Sequence, residues 1–203
     1  MVGAVVALSG LSGYLIGSIP FGVMIGRRVG NIDVRQYGSG NMGATNVLRV
    51  LGPRAALAVL GCDLAKGMVA ALIGLRLAGA WGGATGATMA IVGHSFPVWL
   101  GFKGGKSVAT AGGGLLALAP NVCLVELLLV AVIVATTRYV SLASVTAAVT
   151  APFVSIWFRQ PTPVIAFIAF AAALVIVRHR SNIKRLLAGK ESKLGQKAGP
   201  GRI

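Results

Sequence analysis

Acidic side chains are almost missing from this chain. Asp33, Asp63, Glu126 and Glu191 are the only carboxylates, against 19 Lys and Arg and a formal net charge of +15. Four acids so widely scattered offer no cluster suited to Mg²⁺, so no metal is expected. Cysteine is as scarce: Cys62 and Cys123 sit inside apolar runs without metal-ligand spacing and read as small core hydrophobes. Only 11% of residues are charged while 56% are hydrophobic, which favours an integral membrane domain over a soluble one. In a soluble protein the excess of base would suggest nucleic acid. Here the basic residues stand just outside apolar runs. Membrane lipid headgroups or phosphorylated substrates are the expected partners, and nucleic acid is not.

Apolar runs cover residues 2–26, 53–75, 81–100, 108–119, 121–136, 140–158 and 163–177. Several approach the 20 or so residues a bilayer-spanning helix needs, whereas 108–119 is short and reads as a broken or tilted element. The first run has no basic segment before it and is followed by Arg27 and Arg28, the pattern of an uncleaved helix with its N-terminus outside. With seven spans in that orientation, every basic residue except Lys66, Arg76 and Arg159 falls on the cytoplasmic side. The expected fold is all-α and polytopic, with about seven membrane helices and a cytoplasmic C-terminus. Re-entry of the short run would leave five or six. Residues 1–191 read as one membrane-embedded domain and 192–203 as a basic flexible tail.

Three polar strings interrupt this chain: GSGNMGATN (38–46), GFKGGKSVAT (101–110) and RHRSNIKRLLAGKE (178–191). Each joins glycines, hydroxyls or amides to Lys or Arg, the combination that holds phosphate through backbone N–H groups and fixed charge. The first contains G-x-G-x-x-G at Gly38, Gly40 and Gly43, but no buried strand precedes it, so it is not a dinucleotide fingerprint. Its glycines still let backbone approach an anion, and Ser39, Asn41, Thr45 and Asn46 supply donors, with Arg49 a helical turn later. The second string misses a nucleotide-binding P-loop because Leu100 stands where the first glycine would be. What remains is a turn through Gly104 and Gly105 with Lys103 and Lys106, opening a helix whose free N–H groups suit an anion.

In the third string Arg178, Asn182 and Arg185 share a helix face, flanked by His179. A basic helix gripping anionic lipid has the same pattern. His94 reads as a structural hydrogen-bonder near a span end. Asp63 and Lys66, one turn apart within an apolar run, can neutralise each other. Ser141 and Ser144 share a face just after Arg138 and are able either to donate to a phosphate or to let helices pack closely. Glu126 has no obvious partner.

Taken together, GSGNMGATN, GHSFPVWLGFKGGKSVAT and RHRSNIKRLLAGKE, with Asp63-x-x-Lys66-Gly67 and the stretch from Arg138 to Ser144 between them, resemble the bacterial membrane acyltransferases that use acyl phosphate to acylate glycerol 3-phosphate. The resemblance runs from the first span to Glu191. One departure is Ser107, where the family commonly has glycine. The resemblance implies transfer of a fatty acyl group from acyl phosphate to the sn-1 hydroxyl, giving lysophosphatidic acid and phosphate, the first committed step of phospholipid synthesis. It also implies a bacterial inner-membrane enzyme facing the cytoplasm and no cofactor. Lys106, His179 and Asn182 would then be catalytic. Ser39, Gly40, Asn41, Gly43, Thr45, Asn46, Arg49, Gly104, Gly105, Ser141, Ser144 and Arg185 would bind substrate. A transporter or binding protein for an organic phosphate is the alternative, although no inverted repeat is evident and the basic groups gather on one face. A lipid-recruiting anchor without enzymatic activity leaves the glycine strings unexplained.

Overall fold

The computed structural model describes residues 2–196, and every regular element among them is helical. The helices are α1 (Val2–Gly17), α2 (Phe21–Gly30), α3 (Ala44–Leu51), α4 (Pro53–Ser95), α5 (Val108–Leu118), α6 (Pro120–Thr137), α7 (Val140–Trp157), α8 (Thr162–Arg178) and α9 (Arg180–Leu187). Four stretches are long and apolar enough to cross a bilayer: Gly3–Gly30, Pro53–Leu100, Pro120–Thr137 and Val140–Trp157. A fifth is α8 with α9, bent by 59°.

The first run is longer than one bilayer thickness, and it breaks at Ser18–Pro20, where proline cannot extend the hydrogen-bond ladder of α1. α2 carries Arg27 and Arg28 in its last turn, where cations oppose the negative end of the helix dipole. α4 has 43 residues. A straight helix of that length would reach about 65 Å, roughly twice a bilayer core. It does not run straight. Ala78 and Gly79 leave the helical region (φ −142° and +57°), and the chain doubles back on itself. Gly74 then rests on the Gly82 carbonyl and Gly86 on that of Ala70, so α4 is a hairpin of two arms. Gly79 is the residue that permits the left-handed turn. The seven apolar runs of the sequence thus become α1, the two arms of α4, α5, α6, α7 and α8.

α5 is as short as expected, 11 residues. It is wedged inside the protein rather than standing alone. Gly113 lies on the Leu64 carbonyl, Gly114 against the Phe167 ring, and Leu118 against Gly83. Only a glycine-rich helix can approach its neighbours so closely. Ala71, Ala87, Ile91, Val122 and Phe167 close the core around it. Glu126 acquires a partner across the α6–α7 contact: the Thr150 hydroxyl lies 2.9 Å from its Oε2. The two cysteines are free and half-buried.

Candidate functional site

The polar strings meet at one end of the bundle. The second string leaves α4 by two backbone bonds, Gly104 N–H to the Ser95 carbonyl and Gly105 N–H to the His94 carbonyl (3.2 and 3.0 Å). It re-enters the fold at Ser107, whose Oγ is 2.7 Å from both the Ile91 carbonyl and Ser95 Oγ. Between these anchors the Gly104 and Gly105 carbonyls accept from the Arg178 guanidinium (2.8 and 3.0 Å). Arg178 also stands over the Phe96 ring, 5.4 Å from its centroid. Gly105 has no room for a side chain: a Cβ would fall on the His94 imidazole.

Lys106 projects from this clamped turn and donates to Asn182 Oδ1 on α9. The Asn182 amide in turn donates to Glu191 Oε1 at 2.6 Å, and Ser141 Oγ donates to the same oxygen at 2.8 Å. Arg185 Nε holds the other carboxylate oxygen at 2.6 Å. Lys106, Asn182, Ser141 and Arg185, expected to share phosphates, are therefore one connected network, with Glu191 as its centre. The bend at His179 makes this possible, because it turns α9 off the axis of α8 and across the site. His179 is itself buried, and its Nδ1 lies 2.8 Å from the Val175 carbonyl. A carbonyl only accepts, so Nδ1 carries the hydrogen and Nε2 is the nitrogen left for a substrate.

Charge shapes the network. Burial first, and then Arg185, Arg49 and Arg178, lower the Lys106 pKa to about 8 against the opposing pull of Glu191. Burial would raise the Glu191 carboxyl, but bonds from Asn182, Ser141 and Arg185 outweigh it and hold the group below the usual range. The four groups thus meet as two cations, an amide and a hydroxyl around one ionised carboxylate.

The first string is organised from within. Asn46, 2% exposed, donates to the Val34, Tyr37 and Asn41 carbonyls and accepts from the N–H and hydroxyl of Ser39. Asn41 Oδ1 accepts from Gly43 N–H. Gly38 has φ +60°, and a Cβ there would collide with Asn46 Oδ1. The amides of this string thus shape the loop with the groups expected to face a ligand. Thr45 is half-buried on α3, and Gly43 rather than either side chain caps that helix. Gly40 and Met42 face Lys103, Gly104 and Arg178 across a cleft of about 400 Å³, which Asp33, Arg35, Gln36 and Phe102 complete. Arg35 is committed to Asp33 at 2.6 Å.

Two expected features take a particular form in the structure. Ser144 does not join the network, because its hydroxyl bonds to the Val140 carbonyl of its own helix (2.8 Å), the usual fate of a helical serine. Nor does the chain run free from residue 192. The Ser192 carbonyl accepts from Arg49 (3.3 Å), and Leu194 exchanges two bonds of 2.7 Å with Arg138. The rest of the tail, residues 197–203, lies outside the described residues. Sequence reasoning missed Glu191 as a site residue. The signal was there: it is the sole acid among six Lys and Arg from Arg178 to Lys193, a setting in which a carboxylate finds a cation.

The fold and the site define a membrane-embedded helical protein that gathers cations, amides and glycine turns suited to phosphate at one end. Comparison narrows this class. A family model described as glycerol-3-phosphate acyltransferase matches residues 7–189. A glycerol-3-phosphate acyltransferase of Symbiobacterium thermophilum is 48% identical over 188 residues, covering 93% of this chain and 94% of the relative. One from a Synechococcus strain is 50% identical over 190 residues, 94% and 95% of the two chains. The crystal structure of PlsY, an integral membrane glycerol 3-phosphate acyltransferase, in its glycerol 3-phosphate form superposes with a TM-score of 0.89 at 41% identity over 94% of this chain and 96% of that one. Its lysophosphatidic acid form gives 0.87 at 40% identity, over 94% and 95%. The chain belongs to the glycerol-3-phosphate acyltransferase family.

Proposed function

We propose that this protein transfers a fatty acyl group from acyl phosphate to the sn-1 hydroxyl of glycerol 3-phosphate, giving lysophosphatidic acid and phosphate in phospholipid synthesis. The observation that carries the reading is the Lys106–Asn182–Glu191–Arg185 network beside the Gly104–Gly105 turn. A close structural relative with glycerol 3-phosphate at hand supports it.

Both substrates carry phosphate, and the network offers two kinds of phosphate ligand. Lys106 and Arg49 supply charge, while the glycine turns supply backbone that approaches closely. Ser39, Gly40, Asn41, Gly43, Thr45 and Asn46 form and line the loop across the cleft. His179, Asn182, Ser141 and Arg185 complete the wall formed by α7 and α9. His179 Nε2, with Nδ1–H committed to Val175, accepts a hydrogen bond from the substrate hydroxyl and aims its oxygen. That oxygen attacks the acyl carbon, a new ester C–O bond forms, and the bond to the phosphate oxygen breaks. As the ester bond forms, the hydroxyl proton passes from its hydrogen bond with His179 Nε2 to an oxygen of the departing phosphate. Acyl phosphate is already activated, so no protein nucleophile is needed, and catalysis is positioning plus stabilisation of charge on the leaving phosphate. The site faces the cytoplasm of the bacterial inner membrane, where a water-soluble phosphoester is available and an apolar acyl chain can lie in lipid.

Purified protein in detergent, given acyl phosphate and glycerol 3-phosphate without metal or nucleotide, forms lysophosphatidic acid and phosphate in equal amounts. Full activity with an acyl thioester and none with acyl phosphate rejects the donor. Vesicles that accumulate glycerol 3-phosphate without forming product would make the protein a transporter.

A further inference from the structure

The reaction above leaves one cluster of ionisable groups unused. Asp63 and Lys66 on one arm of α4 and His94 near the end of the other are each 3% exposed or less. Asp63 Oδ1 lies 2.8 Å from Lys66 Nζ and 3.5 Å from His94 Nδ1. Holding two helical arms together does not require this. Apolar side chains of similar volume do it as well or better, since burying charge carries a desolvation penalty.

The contacts that leave the cluster are more telling, because one reaches the second glycine string directly and another reaches the α1–α2 break that packs on the first. Lys66 Nζ donates to the Ile19 carbonyl at the α1–α2 break (2.9 Å) and stands 5.7 Å from the centroid of the Phe21 ring. Gly22, the next residue, rests on the Met42 carbonyl of the first string. In the other direction the His94 ring abuts Gly105, and the His94 carbonyl takes the Gly105 N–H. Arg178 holds the other edge of the same turn. The peptide caught between imidazole and guanidinium is the one before Lys106. A rotation of the His94 ring therefore changes where Lys106 begins.

We propose that Asp63, Lys66 and His94 are positioning residues that set both glycine strings from one buried point and fix Lys106 against Asn182. The inference rests on the reading that Lys106 holds a substrate phosphate.

The test uses the full chain in detergent and a double-mutant cycle. Asp63→Asn and His94→Gln are each made alone and with Lys106→Ala, and kcat/KM for glycerol 3-phosphate is measured beside thermal stability. Each single variant loses at least about tenfold, and the same substitution added to Lys106→Ala loses no more than about twofold, because the group it positions is already gone. A residue that only stabilises the bundle lowers both backgrounds by the same factor, and that outcome overturns the proposal. Should Asp63→Asn fail to fold with Lys66 left unpaired, His94→Gln keeps the ion pair and carries the same prediction. A second cycle is independent of Lys106. Gly105→Ala is damaging in the wild-type protein and silent on top of His94→Ala, where the methyl has room; equal damage in both again overturns the proposal. If Lys106→Ala alone retains wild-type activity, the phosphate reading of Lys106 falls and takes this inference with it. Additive losses beside an impaired Lys106→Ala overturn the inference alone.

Discussion

Ser107 and Ser95 share a hydrogen bond of 2.7 Å between hydroxyls, and this contact holds a strained backbone in place. Ser107 lies in the left-handed region, φ +62°, where a side chain costs about 1–2 kcal/mol. Its Oγ also reaches the Ile91 carbonyl at 2.7 Å. Glycine at this position would have no strain and no hydroxyl. Serine exchanges one advantage for the other. Ser107→Gly then costs about 1 kcal/mol or less, because relief of strain offsets most of the two lost bonds. Ser107→Ala keeps the strain and loses both, and costs about 2 kcal/mol. Thermal unfolding in detergent should rank Ala below Gly. The reverse order would mean that the left-handed backbone at residue 107 carries no strain for glycine to relieve.

Lys106→Ala and Arg49→Ala should each lower kcat/KM by at least about a hundredfold, roughly 2.7 kcal/mol of transition-state stabilisation, as expected for a charge-assisted contact in a poorly solvated site. His179→Ala and Asn182→Ala should do comparable damage. Lys193 is exposed and stands over the Tyr139 ring, 5.5 Å from its centroid. Lys193→Ala is therefore expected to change the rate by about twofold at most, since an exposed cation–π contact is worth about 0.5–1 kcal/mol. Steady-state rates at equal folded concentration decide it. A loss at Lys193 as large as at Lys106 would show that basic residues act by gripping lipid in general.

The pH dependence follows from Lys106. Its pKa is lowered to about 8, so the free enzyme carries the ammonium below that pH and loses it above. kcat/KM for glycerol 3-phosphate should fall as pH rises through about 8, the limb that reports the free enzyme. Stability moves the other way. A lysine whose folded pKa lies below its unfolded value opposes folding while charged, and this penalty disappears as pH rises from about 8 through the unfolded value. Lys106→Arg should move the activity limb upward, because guanidinium stays charged. A limb unmoved in Lys106→Arg assigns the titration elsewhere.

Membrane orientation is open to direct measurement. Arg27, Arg28, Arg35, Arg49, Arg54, Lys103, Lys106 and Arg138 should face the cytoplasm with the third string, leaving Arg76 and Arg159 outside. A cysteine introduced at Arg159 should react with an impermeant reagent added to intact cells, and one at Lys103 only after lysis. Labelling of both from the same side would remove the seven-span arrangement without touching the chemistry.

Much of this protein was legible from its residues because lipid is an exacting solvent. Run length located the helices, and Asp63 and Lys66 pair at 2.8 Å because three residues is one helical turn. The hairpin in α4 was legible as two runs, 53–75 and 81–100, though not its axis at Ala78 and Gly79. Less visible were contacts between distant segments with no periodic signature. Thr150 finds Glu126 across 24 positions, and Ser141 finds Glu191 across 50. Asn46 was expected to face a ligand, since an amide in a glycine string suits an anion. Nothing local told that five of its hydrogen bonds would instead be spent on shaping the loop. Residue type reports the bonds a side chain is able to make. The fold decides which are already taken.

The bonds made by Glu191, Ser192 and Leu194 carry a consequence for biogenesis. These residues follow the last apolar helix, yet they join groups on α3, α7 and α9, among them the side chains proposed to hold phosphate. Every span can be threaded into the bilayer before residues 191–194 have been synthesised. A chain interrupted just after α9 would be inserted and helical, with its reaction centre unfinished. On the proposed function, the phosphate site would then be completed last during translation, after every span is in place.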